Sequence, residues 1–133
     1  MQSKVITKEE IDGDLTFDGL LIFPEAVHIT GSLNARSVWA RESITVDGDY
    51  TVHGDDIVRG NQIVGKEKQE SKSSQHITGF QEVAGFQVIE GDQGVEKYQK
   101  IDLYQKVHGS QDIAEIQSIG GSQEVSESQK VKG

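Results

Sequence analysis

From Ile77 to the end of the chain a branched aliphatic residue recurs every sixth position, at Ile77, Val83, Ile89, Val95, Ile101, Val107, Ile113, Ile119, Val125 and Val131. A glutamine stands two residues before each of them, from Gln75, Gln81 and Gln87 through to Gln117, Gln123 and Gln129. Glycine often follows two residues after, at Gly79, Gly85, Gly91, Gly109, Gly121 and Gly133, so the unit reads Q-x-φ-x-G-x with φ as Ile or Val. A period of six is not helical, because residues i and i+6 fall on different sides of a helix, whereas a spacing of two within each pair is that of a strand. β-Branched residues at φ and glycine at the bends predict short strands joined by tight turns.

Upstream the same unit appears with an apolar residue in the glutamine's place, in the pairs Leu15/Phe17, Leu21/Phe23, Val27/Ile29, Leu33/Ala35, Val38/Ala40, Ile44/Val46 and Tyr50/Val52. Two phase slips interrupt the pattern. The step from Ala35 to Ala40 is five, a one-residue deletion, and the step from Val64 to Ile77 is thirteen, read as two units plus one residue. The second slip holds "GKEKQESKSS", the most polar segment of the chain and a predicted protruding or mobile turn. The expected organisation is one continuous solenoid: an N-terminal cap or tail (1–14), apolar-pair repeats (15–64), a polar loop (65–74) and glutamine repeats (75–133).

The residue three after each φ tests how many sides make a coil. At a spacing of eighteen it sorts into Phe80, Tyr98, Ile116; Phe86, Tyr104, Ser122; and Asp92, Ser110, Ser128. Two columns are mostly large and one is wholly polar, so three units of six make each turn. The predicted fold is therefore an all-β, three-sided β-solenoid with hexapeptide-type repeats and about 18 residues per coil, of open handedness. About twenty sides give six to seven coils and a prism on the order of 30 Å tall. In a strand the glutamine and its φ point to the same side. If φ faces the core, the amides face it too, and stacked coils let each amide pair with those above and below. The alternative places the amides at the corners, reaching solvent.

Composition narrows the function. Only 34% of residues are hydrophobic and 6% aromatic, lean for a globular core, so order has to come from the repeat. The net charge of -9 is spread along the chain and leaves no basic stripe for phosphate, which argues against direct nucleic-acid or anionic-membrane binding. There is no cysteine for a disulfide or thiolate site. Neither a signal-peptide run nor a membrane-length apolar stretch is present, and a cytoplasmic location, or a place in a virion, is expected.

The stretch "IDGDLTFDGLLIFPEAVHITGSLNARSVWARESITVDGDYTVHG" resembles the bactofilins, polymer-forming bacterial β-helix proteins whose φ-x-φ-x-G units wind a three-sided coil. That resemblance implies end-to-end assembly into filaments without nucleotide. "GNQIVG" at 60–65 and "GSQEV" at 121–125 are similar to the G-N-Q-x-V units in the needle domains of phage tail spikes and related secretion-system spikes, which implies three intertwined chains. The units recur every six residues here and every eight there.

Candidate chemistry is sparse. Hexapeptide-repeat folds host acyltransferases, with a histidine as general base, and three-histidine zinc enzymes. His28, His53, His76 and His108 all flank a φ residue, are predicted to point outward, and share no ligand spacing. Asp47, Asp49, Asp55 and Asp56 lie near consecutive bends and are read as solvated turn carboxylates rather than a calcium site. No dinucleotide or P-loop glycine motif occurs. No catalytic residue, metal or cofactor is expected. Trp39, Phe80, Phe86, Tyr98 and Tyr104, read as aromatics at bends of a thin prism, are the candidate contact surface with another chain; the alternative is stacking along the corners. A C-terminal "SQKVKG" in register with the repeat suggests that another molecule covers that end. The expected function is non-enzymatic: a self-associating scaffold, filament or spike component, as an end-to-end polymer or a trimer. The alternatives are an acidic binding protein that meets a foreign partner, as a phage inhibitor or nucleic-acid mimic would, and thirdly an acyltransferase-like enzyme.

Overall fold

The computed structural model describes residues 2–65 and 73–131, all strand and turn with no helix among them. Every strand pair is parallel, and one chain winds all the described coils into a three-sided β-solenoid. Within the amide half the pairing runs from residue i to i+18, as Gln75 to Gln93 and Gln81 to Gln99 show, so three units of six do make one coil.

Three columns of strands form the faces. The first face stacks the start of β3 (Leu15–Phe23), the start of β5 (Leu33–Ala40), β7 (Tyr50–Val52), β10 (Gln75–Ile77), β13 (Gln93–Val95), β16 (Gln111–Ile113) and β19 (Gln129–Val131). The second stacks β1 (Gln2–Val5), the ends of β3 and β5, β8 (Asp56–Val58), β11 (Gln81–Val83), β14 (Gln99–Ile101) and β17 (Gln117–Ile119). The third stacks β2 (Glu10–Ile11), β4 (Val27–Ile29), β6 (Ile44–Val46), β9 (Gln62–Val64), β12 (Gln87–Ile89), β15 (Gln105–Val107) and β18 (Gln123–Val125). Each face thus has seven levels. The first two faces fuse into one 12-stranded sheet, because β3 and β5 run through their shared corner without a break, while the third is a separate 7-stranded sheet.

The slips in the repeat have definite structural meanings. With one residue fewer between Ala35 and Ala40, β5 runs extended around the corner, as β3 does beneath it. Below it, β3 keeps one residue more, and the register shifts between Phe17 and Leu20. The thirteen-residue step is one side plus seven residues, not two sides plus one: β7, β8 and β9 pair with β10, β11 and β12 at a spacing of 25, seven more than a coil. The predicted turn at 65–74 falls largely on residues outside those described. Gln2–Val5 pairs with β3, as a cap strand would, and Glu10–Ile11 extends the third face, so coiling begins before Leu15.

Strand alternation decides what enters the prism. In each tripeptide strand the outer two residues point inward and the middle one outward, and the inward residues from Leu21 to Ile113 are almost fully buried. In the lower coils large residues sit under small ones: Phe17 pairs with Ala35 and Phe23 with Ala40. At the bends the coils approach so closely that some positions admit no side chain. A Cβ on Gly79 would lie 2.6 Å from the Gly54 carbonyl oxygen, and one on Gly85 2.7 Å from that of Gly60. These glycines serve close approach rather than an unusual dihedral; positive φ occurs only at Gly13 and Gly65 among the described glycines.

Candidate functional site

The interior of the upper coils is an amide lattice. Gln75, Gln81, Gln87, Gln93, Gln99, Gln105 and Gln111 are all buried. A buried primary amide is costly unless paired, and here each amide from Gln87 upward donates to the glutamine one coil below it. Nε2 of Gln93, Gln99, Gln105 and Gln111 lies 2.6 to 2.7 Å from Oε1 of Gln75, Gln81, Gln87 and Gln93 respectively. The second N–H crosses to neighbouring columns, as in Gln93 to Gln87 at 2.9 Å and Gln111 to Gln105 at 2.8 Å. No buried side-chain polar atom is left without a partner among the described residues. The three columns are therefore laced to one another as well as stacked, and the corner placement of the amides is excluded.

All these donors point toward the N-terminal end. A one-way ladder needs acceptors at its foot, and the foot is a single coil in which Tyr50, Asp56 and Gln62 occupy the three glutamine places. Asp56 is fully buried and accepts from the Tyr50 hydroxyl, from Gln62 Nε2 at 2.8 Å and from Gln81 Nε2 at 3.0 Å. A carboxylate is acceptor-only, so it can end three converging donors without needing a proton of its own. Burial pushes its pKa up, and the hydrogen bonds from Tyr50, Gln62 and Gln81 pull it back. The Tyr50 hydroxyl is held well above its usual pKa, first by burial and then by the neighbouring Asp56.

Asp56 corrects the sequence reading, which grouped it with the turn carboxylates. It stands two residues before Val58, as Gln62 stands before Val64, and that spacing was the available signal. The remaining aspartates hold the corners. Asp49 Oδ1 accepts from the Ser74 backbone N–H at 3.0 Å and Asp55 Oδ1 from that of Phe80 at 3.1 Å, each tying one coil to the next. Asp92 does the same for Ser110 at 2.8 Å, which accounts for the polar corner column. Asp47 is buried and meets His28 Nε2 at 2.9 Å. His53 meets Asn34 at 3.1 Å, while His76 and His108 lie 3.8 and 3.5 Å from Glu96 and Glu90. The four histidines thus sit on the outside, each against a different partner. No group of three or more His, Asp or Glu side chains placed to hold a metal ion occurs among the described residues.

The aromatic residues divide among three places. Phe80 and Tyr98 pack with their rings tilted by 32° at the corner of the first and second faces, with ring centroids 4.5 Å apart, and Lys97 sits 5.8 Å over the Phe80 ring. Phe86 and Tyr104 stack at the corner of the second and third, 4.9 Å apart and nearly parallel. Trp39 lies mid-strand on the second face rather than at a bend, since Val38 and Ala40 on either side of it point inward. Cross-strand register puts it in an outward column Val5–Ile22–Trp39–Ile57. Among the described residues the exposed large apolar side chains are Val5, Trp39, Phe80, Leu103, Tyr104 and Ile116, and every one lies on the second face or at its two corners. The middle of the first face is polar, with Asn34, Thr51, His76, Asp112 and Lys130 pointing out.

No known protein family, no curated protein and no solved structure matches this chain. Among the described residues no helix is long and apolar enough to cross a membrane. Residues and geometry alone carry the functional reading.

Proposed function

We propose that the protein is a non-enzymatic structural element, a self-associating β-solenoid of the scaffold, filament or spike kind. The observation that supports this is the one-sidedness of its exposed apolar surface on a rod whose inward positions are committed to packing and hydrogen bonding. Large apolar side chains scattered singly on a surface need no explanation, whereas their concentration along one face and its two bordering corners supports a contact surface there. The rod behind it is stiff, because its amide columns are hydrogen-bonded along and across the prism.

Molar mass by light scattering over a concentration series, with electron microscopy of the same samples, tests the proposal. Growth into filaments or a fixed oligomer is the expected result. A strict monomer at every concentration would overturn it and turn attention to the acidic surface and a foreign partner.

A further inference from the structure

The second face is self-complementary when one copy is inverted against another. Its lower half carries a hollow lined by Leu20, Ser37, Val38, Trp39, Asp55 and Ile57, lying between the corner column and the mid-face column. Its upper half carries a ridge in the same corner column, Phe80–Tyr98–Ile116, with Phe80 and Ile116 exposed and Tyr98 half-buried. Hollow and ridge follow each other up one prism, so they cannot meet within a copy.

The charges at the far edge reverse in the same way. The residues just after the second-face strands stack as Arg41, Arg59, Ala84 and Asp102, each with its backbone N–H on the coil below. The column is thus basic low down and acidic above. Two of the three arginines of this acidic chain, Arg41 and Arg59, stand at this one edge.

From these features we propose that the second face binds a second copy of this chain, side by side and antiparallel, about a two-fold axis that runs along the strands; this rests on the self-association reading above. Such an axis keeps each column opposite itself and inverts its height. With the axis between the β8 and β11 levels, the ridge of each copy lies along the hollow of the other. Arg41 then faces Asp102, and Trp39 faces Lys100, whose cation sits over an indole face as ammonium groups do. The interface is isologous, so every favourable pair occurs twice. A face on the order of 30 Å by 15 Å presents roughly 500 Å² per copy, below the ~800 Å² of a standard interface, so the dimer is weak and concentration-dependent.

Sedimentation and light scattering from about 5 to 500 µM, a range that spans the affinities of small interfaces, decide the matter. Wild type should pass from monomer to dimer or larger. Trp39→Lys, which sets a like charge against Lys100 at both symmetry-related places, should hold it monomeric, with an unchanged circular dichroism spectrum because the side chain points outward. Arg41→Asp should weaken association about a hundredfold, about tenfold for each of the two symmetry-related ion pairs lost, and Arg41→Asp with Asp102→Arg should restore it. Association of wild type that Trp39→Lys and Arg41→Asp leave unchanged would overturn this face while leaving self-association standing. A wild type that stays monomeric throughout would overturn both.

Discussion

The lower and upper coils of this prism solve the same packing problem in opposite ways. Below β7 the inward residues are varied and apolar, and Phe17 and Phe23 each depend on an alanine above them. Above β9 every level repeats the same glutamine and the same Ile or Val, and what distinguishes a correct stack is hydrogen bonding rather than shape. The first strategy makes each level unique. The second makes levels interchangeable, and a single coil joins the two halves. That coil is Tyr50, Asp56 and Gln62, one residue per side, where an apolar interior ends and a directional amide lattice begins.

Removing whole coils should break the comparison most sharply. Excision of residues 27–43 returns Ile44 to the register of Val27 but sets Phe23 under Val58 and Phe17 under Val52 in place of the alanines. Overpacking at both phenylalanines should abolish the cooperative unfolding transition. Excision of residues 93–110 sets Gln111 on Gln75, as Gln93 was, and should leave a folded, shorter prism. Circular dichroism and urea melts of the two deletions check this; equal damage in both would mean that the levels above are not interchangeable.

Single substitutions should show a smaller contrast. Phe23→Ala leaves a cavity against Ala40 and should cost about 3–5 kcal/mol. Gln99→Leu fills its space but orphans the Gln117 N–H that it accepts and weakens the satisfaction of Gln81, which should cost about 1–3 kcal/mol. The urea midpoints of the two variants rank them, and a Gln99→Leu protein as stable as wild type would show that the amides contribute no register energy.

The smallest effect concerns the junction and its pH dependence. Asp56 has a folded pKa raised above the roughly 3.9 of an unfolded aspartate, so the folded state holds its proton longer. Its contribution to stability is greatest below the unfolded value and falls as pH rises through the window between the two. Asp56→Asn should remove that slope while setting an amide N–H among the donors of Tyr50, Gln62 and Gln81, at a cost of about 1–3 kcal/mol at pH 7. Urea melts of both proteins from pH 4 to pH 7, the range above the unfolded aspartate value, measure it. Parallel pH profiles would mean that Asp56 titrates as an ordinary surface carboxylate.

Much of this was legible in the chain. The period of six, the pairing of Gln with Ile or Val at a spacing of two, and the corner columns at eighteen led to three faces and made an inward amide one of two readings, because strand alternation and coil stacking are local and periodic rules. The outward histidines followed from the same alternation. Asp56 was legible too, but its charge suggested a turn; a buried carboxylate is plausible only once three donors are seen to converge on it.

Tertiary structure alone decided what lies across the two slips and which way the amides point. A repeat specifies which residues share a face only up to an unknown offset wherever residues are gained or lost, and the spacings of 17 at β5 and 25 at β10 are set by hydrogen bonds between distant strands. The second of those offsets brings Trp39 to the face that Phe80 and Tyr98 border, across the thirteen-residue step. The direction of the ladder likewise has no sequence signature, since a glutamine amide donates and accepts equally well. The buried carboxylate at its foot, which can only accept, selects one direction for the whole column.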